Sequence, residues 1–172
     1  MPTAPVDSAT VEAFSAFYRA FAPTLVAFLI YQGARPADAA EIVQDTMAKA
    51  FQSWERIDHP QAWARRVASR GYARRIASIL EDPVEAPPEQ RVPLLRADTD
   101  PNTLIERHEV LRLLALLPSR QRQVMAWTFD GYNPTEIAEE LGMSADAVRA
   151  SLFKARRTLA LHLAAGKEAN PQ

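Results

Sequence analysis

Residues 133–163 read NPTEIAEELGMSADAVRASLFKARRTLALHL, and this stretch decides how the whole chain is read. Asn133 can cap a helix, Pro134 suits its first position, and Glu136 stands where its carboxylate can close a capping box. Ile137, Ala138 and Leu141 recur at helical spacing and give that helix one apolar face. Gly142 stops it, because a turn this tight often needs a positive φ. Ser144 can cap a second helix, whose core side is Val148, Leu152, Ala155 and Leu159. Small Ala138 opposite Val148 lets the two helices cross closely. The spacing predicts a helix-turn-helix of the kind that pushes its second helix into the major groove of B-DNA. The outer side of that helix carries Asp146, Arg149, Ala150 and Phe153, flanked by Lys154, Arg156 and Arg157. An ordinary helical hairpin with a solvated basic face shares this periodicity. The agreement of two caps, the glycine and the basic side favours DNA binding.

The rest of the chain is compatible with two small domains. It has 172 residues, of which 48% are hydrophobic, enough to bury a core. The net charge of −1 does not by itself suggest nucleic acid, but the charge is unevenly placed. His59 to Leu80 holds five Arg and no acid, whereas Glu81 to Glu109 holds eight acids and three bases. The absence of Cys excludes a disulfide, a thiolate zinc site and a cysteine nucleophile, which suits a cytoplasmic location. The longest strictly apolar run, Leu25 to Ile30, is far short of the ~20 residues a membrane span needs. The first residues lack the basic start and apolar run of a signal peptide, so no membrane insertion is expected.

Taken in order, Met1 to Asp7 reads as disordered and Ser8 to Phe21 as a first helix. Pro23 is expected to start a second, running to Tyr31 and ending near Gly33. A third is expected from Pro36 to Trp54 and a fourth from His59 to Leu80, with Trp63, Val67, Ile76 and Leu80 as its apolar points. Glu81 to Pro101 is proline-rich and acidic and reads as a linker. Helices over Asn102 to Leu117 and Ser119 to Phe129 lead into the helix-turn-helix, and Ala164 to Gln172 reads as a frayed tail. No strand-length alternation and no repeat occurs. The expected fold is all-α: two small helical domains, residues 8–80 and 102–165, joined by a proline-rich acidic linker over 81–101.

Leu117 to Leu159 runs LPSRQRQVMAWTFDGYNPTEIAEELGMSADAVRASLFKARRTL, which closely resembles region 4 of bacterial RNA polymerase sigma factors of the small extracytoplasmic-function group. Phe17 to Trp54, with DAAEIVQDTMAKA at Asp38 to Ala50, resembles region 2 of the same family. HPQAWARRVASR, which follows at residues 59–70, is similar to the family segment that melts and reads the −10 element. The resemblance covers nearly the whole chain. It implies a protein that binds core RNA polymerase, through the β′ and β subunits, and directs initiation at promoter DNA without covalent chemistry or a cofactor. The family also admits control by an anti-sigma factor.

Three surfaces follow from the resemblance. Asp38, Glu41, Gln44 and Asp45 would meet the polymerase. Read alone, these residues also suit helix capping and solvation. Trp63, Arg65, Arg66, Arg70, Arg74 and Arg75 would meet the −10 element, the arginines neutralising phosphates and Trp63 stacking on an unpaired base. A solvated basic face and a core tryptophan are the plainer readings. Ser144, Asp146, Arg149, Phe153, Lys154, Arg156 and Arg157 would meet the −35 element. The chain departs from the family at Arg70 and Gly71, where Asn and an apolar residue are common. Gly71 costs a helix about 1 kcal/mol relative to Ala and predicts a bend or an end there. Ala150 and Ser151 replace the usual small-basic pair, and Phe153 stands where a polar residue is common, so promoter preference does not transfer from the family.

Two other classes compete with this one. A stand-alone helix-turn-helix regulator normally needs a dimer interface and an effector pocket, and the first half offers neither clearly. An enzyme is disfavoured because His59, His108 and His162 are scattered and no nucleophile motif or glycine-rich phosphate loop occurs.

Overall fold

The computed structural model describes residues 7–81 and 101–168. The described residues form α1 (Ser8–Tyr31), α2 (Pro36–Gln52), α3 (Pro60–Glu81), α4 (Pro101–Ala115), α5 (Ser119–Phe129), α6 (Pro134–Leu141) and α7 (Ala145–Glu168), with a short 3-10 turn at Trp54–Arg56. No strand occurs among them. Contacts divide the chain into two compact units, one holding α1 as far as Leu29, α2 and α3, the other holding α4 to α7. The expected linker falls almost wholly outside the described residues, as does the expected disorder of the first six.

In the first unit, α1 is continuous through Pro23, so the expected break there is absent. Proline removes one backbone donor, leaving the carbonyl four residues earlier without its helical partner. Pro23 lies on the exposed side of the helix, where water can satisfy that group. The next turns are then free to bury Leu25, Val26, Phe28 and Leu29, which with Phe21 and Ala22 form the inner face of α1. By length and composition α1 could also cross a membrane, but these six residues lie inside the unit. Phe14 packs its ring 5.0 Å from Phe51 and edge-on, 5.3 Å, to Trp54, tying the start of α1 to the end of α2. Trp54 belongs to the 3-10 turn rather than to α2, which ends at Gln52.

The register of α3 differs from the expected one. Trp63, Val67 and Ile76 are only partly covered, and the buried positions are Ala64, Arg65, Ala68 and Ser69. Small residues mark the contact with α2 here, because they let the two helices approach. A Cβ placed on Gly71 would lie 3.1 Å from Ile42 Cγ2, tighter than ordinary side-chain contact. Gly71 does not end α3, which runs on to Glu81. Ala64, Ala68, Gly71 and Arg75 form one stripe at helical spacing. Gly71 meets Ile42 and Arg75 meets Asp38, so α2 and α3 run antiparallel.

In the second unit, Val124, Met125, Ala126 and Trp127 of α5 are buried with Leu114, Leu117, Ile137, Val148, Leu152 and Ala155. The Trp127 ring stands edge-on to Tyr132 at 4.8 Å. The helix of α7 runs on to Glu168, so residues 164–168 are not the frayed tail expected of them.

Candidate nucleic-acid interface and polymerase-contact surface

The helix-turn-helix is assembled from α6, its turn and α7. Asn133 adopts an extended backbone, and its side chain accepts from the Thr135 and Glu136 amides, each at 3.0 Å. The Glu136 carboxylate in turn accepts from the Asn133 amide at 2.8 Å, completing the capping box. Gly142 sits at φ 63°, a left-handed conformation that a Cβ would disfavour, and Met143 N–H donates to Ala138 C=O at 2.9 Å. Ser144 Oγ then accepts from Ala147 N–H at 3.1 Å and starts α7. Three local devices thus set the angle between α6 and α7, and buried Ala138 and Val148 hold it.

With Val148, Leu152 and Ala155 turned inward, the opposite face of α7 is left to solvent. Ser144, Asp146, Arg149, Ala150, Phe153, Lys154, Arg156 and Arg157 are all exposed, and Phe153 retains 68% of its accessible surface. Arg149 Nη1 donates to Asp146 Oδ1 at 2.8 Å. This face carries four cations and one acid around an aromatic ring, a composition suited to phosphates and base edges.

The first unit separates the sequence candidates. On α2, Glu41, Gln44 and Asp45 are exposed, but Asp38 is only 9% exposed. Its Oδ1 accepts from Arg75 Nη2 at 2.6 Å, so Asp38 holds α3 and does not form part of an open surface. Arg75 also lies 3.0 Å from Glu41 Oε2 through Nη1. Burial alone would lower the Arg75 pKa, but the carboxylates of Asp38 and Glu41 together raise it, so its charge is secure.

On α3, Arg65 is buried, with its guanidinium carbon 4.8 Å from the Phe21 ring centroid. That places it against α1 as a cation–π partner and not in an open phosphate-binding series. Arg70 and Arg74 are exposed, and Trp63 and Arg66 are partly covered. Of the five arginines expected to meet phosphates, Arg65 is thus buried, and Arg75, part-exposed, is engaged with Asp38 and Glu41. The stripe Ala64, Ala68, Gly71, Arg75 was the available signal, since small residues at helical spacing announce a close helix contact and Arg75 continues it. A groove of about 260 Å3 lies beside that contact, lined by Ile42, Asp45, Thr46, Lys49, Val67, Gly71, Arg74 and Arg75. Lys49 was not singled out from sequence, and it adds a cation beside Arg74 there.

These features define an all-helical protein of two units, one ending in a helix-turn-helix with a cationic outer face. Family models identify it further: Sigma-70 region 2 matches residues 17–79 and Sigma-70, region 4 matches residues 107–159. Together the two regions cover most of the chain, which belongs to the sigma-70 family. It is a sigma factor, which binds core RNA polymerase and directs promoter-specific transcription initiation. The comparison with curated proteins gave no match. Among solved structures, the fold is similar to the sigma factor RpoE from Bartonella quintana, crystallised with the anti-sigma factor NepR. The two chains share 20% identity over 86% of this chain and 94% of that one, with a TM-score of 0.63. It is also similar to CnrH, solved in complex with the cytosolic domain of CnrY, at 23% identity, 90% and 89% coverage and a TM-score of 0.59.

Proposed function

We propose how the promoter and the polymerase are divided among the helices. The outer face of α7 enters the major groove at the −35 element, with Arg149 and Phe153 toward base edges and Lys154, Arg156 and Arg157 toward phosphates. The α3 face bearing Trp63, Arg66, Arg70 and Arg74 meets the −10 element. The exposed Glu41, Gln44 and Asp45 of α2 meet core polymerase, where carboxylates complement basic partner residues. Residues 8–80 then act as region 2, 81–101 as the linker and 102–165 as region 4. The observation that carries this reading is the capped turn at Gly142, because it presents an exposed cationic helix face with a rigid base behind it.

The chain acts in the cytoplasm, on the polymerase and DNA found there, and works without covalent chemistry. RpoE was solved with an anti-sigma factor, and a partner of that kind is proposed for this chain as well. Charge reversal of Glu41 and Asp45 tests the polymerase surface. E41K/D45K should weaken capture of core polymerase while circular dichroism shows unchanged helix content. Unaltered capture would remove α2 from the interface.

A further inference from the structure

We propose that Arg75 is a positioning residue for polymerase contact. It fixes Glu41 on α2 and does not itself touch promoter DNA. This rests on the reading of α2 as the polymerase-facing helix.

The geometry begins with the stripe Ala64, Ala68, Gly71 and Arg75 on α3. The first three are small and draw α3 onto α2, so the fourth arrives beside α2 with nowhere to go but along it. Its guanidinium divides between two carboxylates, Nη2 to Asp38 Oδ1 at 2.6 Å and Nη1 to Glu41 Oε2 at 3.0 Å. The two acceptors are unequal. The Asp38 side chain is 13% exposed and serves as the anchor, whereas the Glu41 side chain is 57% exposed and keeps a free side. A planar guanidinium can hold two carboxylates in fixed directions, which an ammonium cannot. Asp38 thus orients Arg75, and Arg75 orients Glu41. Without it, Glu41 would be one more mobile surface glutamate and would lose side-chain freedom on meeting the polymerase.

The nearby positive charge also acts in the opposite sense, since it partly neutralises Glu41 toward a basic partner. Solvent screening weakens that effect at a half-exposed pair, and the orienting effect wins. The sign of the affinity change therefore decides the proposal.

The test titrates fluorescently labelled full-length chain with core polymerase, without DNA, for wild type, R75Q, R75K, E41Q and R75Q/E41Q. R75Q should weaken core binding about fivefold, the scale of ordering one surface side chain. R75K should recover only part of this, and R75Q should add nothing in the E41Q background. Holoenzyme assembled with saturating R75Q chain should keep the wild-type salt dependence of promoter binding. Three results would overturn the proposal: R75Q leaving core affinity unchanged or raising it, R75Q weakening it equally with Glu41 already removed, or a promoter salt slope reduced by about one. If E41Q itself leaves core affinity unchanged, the polymerase reading of α2 falls and takes this proposal with it. If E41Q weakens core binding and R75Q does not, only the proposal about Arg75 falls.

Discussion

Arg149 donates to Asp146 one helical turn behind it, at 2.8 Å, and both side chains stand in solvent on the outer face of α7. So exposed a pair adds little to stability. Its consequence is direction: Asp146 restrains the guanidinium at the N-terminal end of α7, where a recognition helix meets base edges. Arginine there suits guanine, through a bidentate contact to O6 and N7. Arg149→Ala should cost about 1–3 kcal/mol on the cognate −35 sequence and flatten discrimination at one base position. Arg157→Ala should weaken all sequences alike and reduce the salt slope by about one. Binding of both variants to single-base changes of the −35 element at two salt concentrations separates the roles. A uniform loss in Arg149→Ala would make it a phosphate clamp.

Trp63 is partly covered, so part of its ring remains available on α3. Stacking of one unpaired base on that face is worth about 1–3 kcal/mol. Trp63→Ala should therefore weaken holoenzyme binding to a promoter with an unpaired −10 segment by about that amount, and fully duplex DNA by less. Equal losses on both substrates would return Trp63 to a packing role.

Asn133 accepts two amide hydrogen bonds at the start of α6. Asn133→Ala removes both and should cost about 1 kcal/mol of local stability. Amide exchange across α6 should accelerate accordingly, and −35 binding should fall with it. Unchanged exchange would show that packing of Ile137 and Ala138 alone holds the turn.

The close approach of Gly71 to Ile42 makes two forecasts. Gly71→Ala gains about 1 kcal/mol of helix propensity and meets a tight contact, so its net effect on urea unfolding should be small. Gly71→Leu overfills the same space and should destabilise by about 1–3 kcal/mol. A stable leucine variant would mean that α2 and α3 stand further apart.

The second unit was legible almost residue by residue, because its turn is written in local chemistry: Asn133, Glu136, Gly142 and Ser144 each act on near neighbours in the chain. The first unit was legible only in outline. Pro23 reads as a helix start from sequence, but its cost depends on which side of α1 faces water, and tertiary burial of Leu25 to Leu29 sets that. On α3 the large apolar residues Trp63, Val67 and Ile76 point to a face other than the one that packs, because Ala64, Ala68 and Gly71 make the contact. A run of arginines does not reveal which members turn inward to Phe21 and Asp38.

The most direct test of the account is transcription itself. Core RNA polymerase is supplied with this chain and genomic DNA of its own organism, and the 5′ ends of the transcripts are sequenced. New start sites that share two spaced upstream elements are expected. E41K/D45K should abolish them, and the Arg149→Ala variant should shift their −35 preference. No new start sites, or the same ones with the α2 and α7 variants, would contradict it.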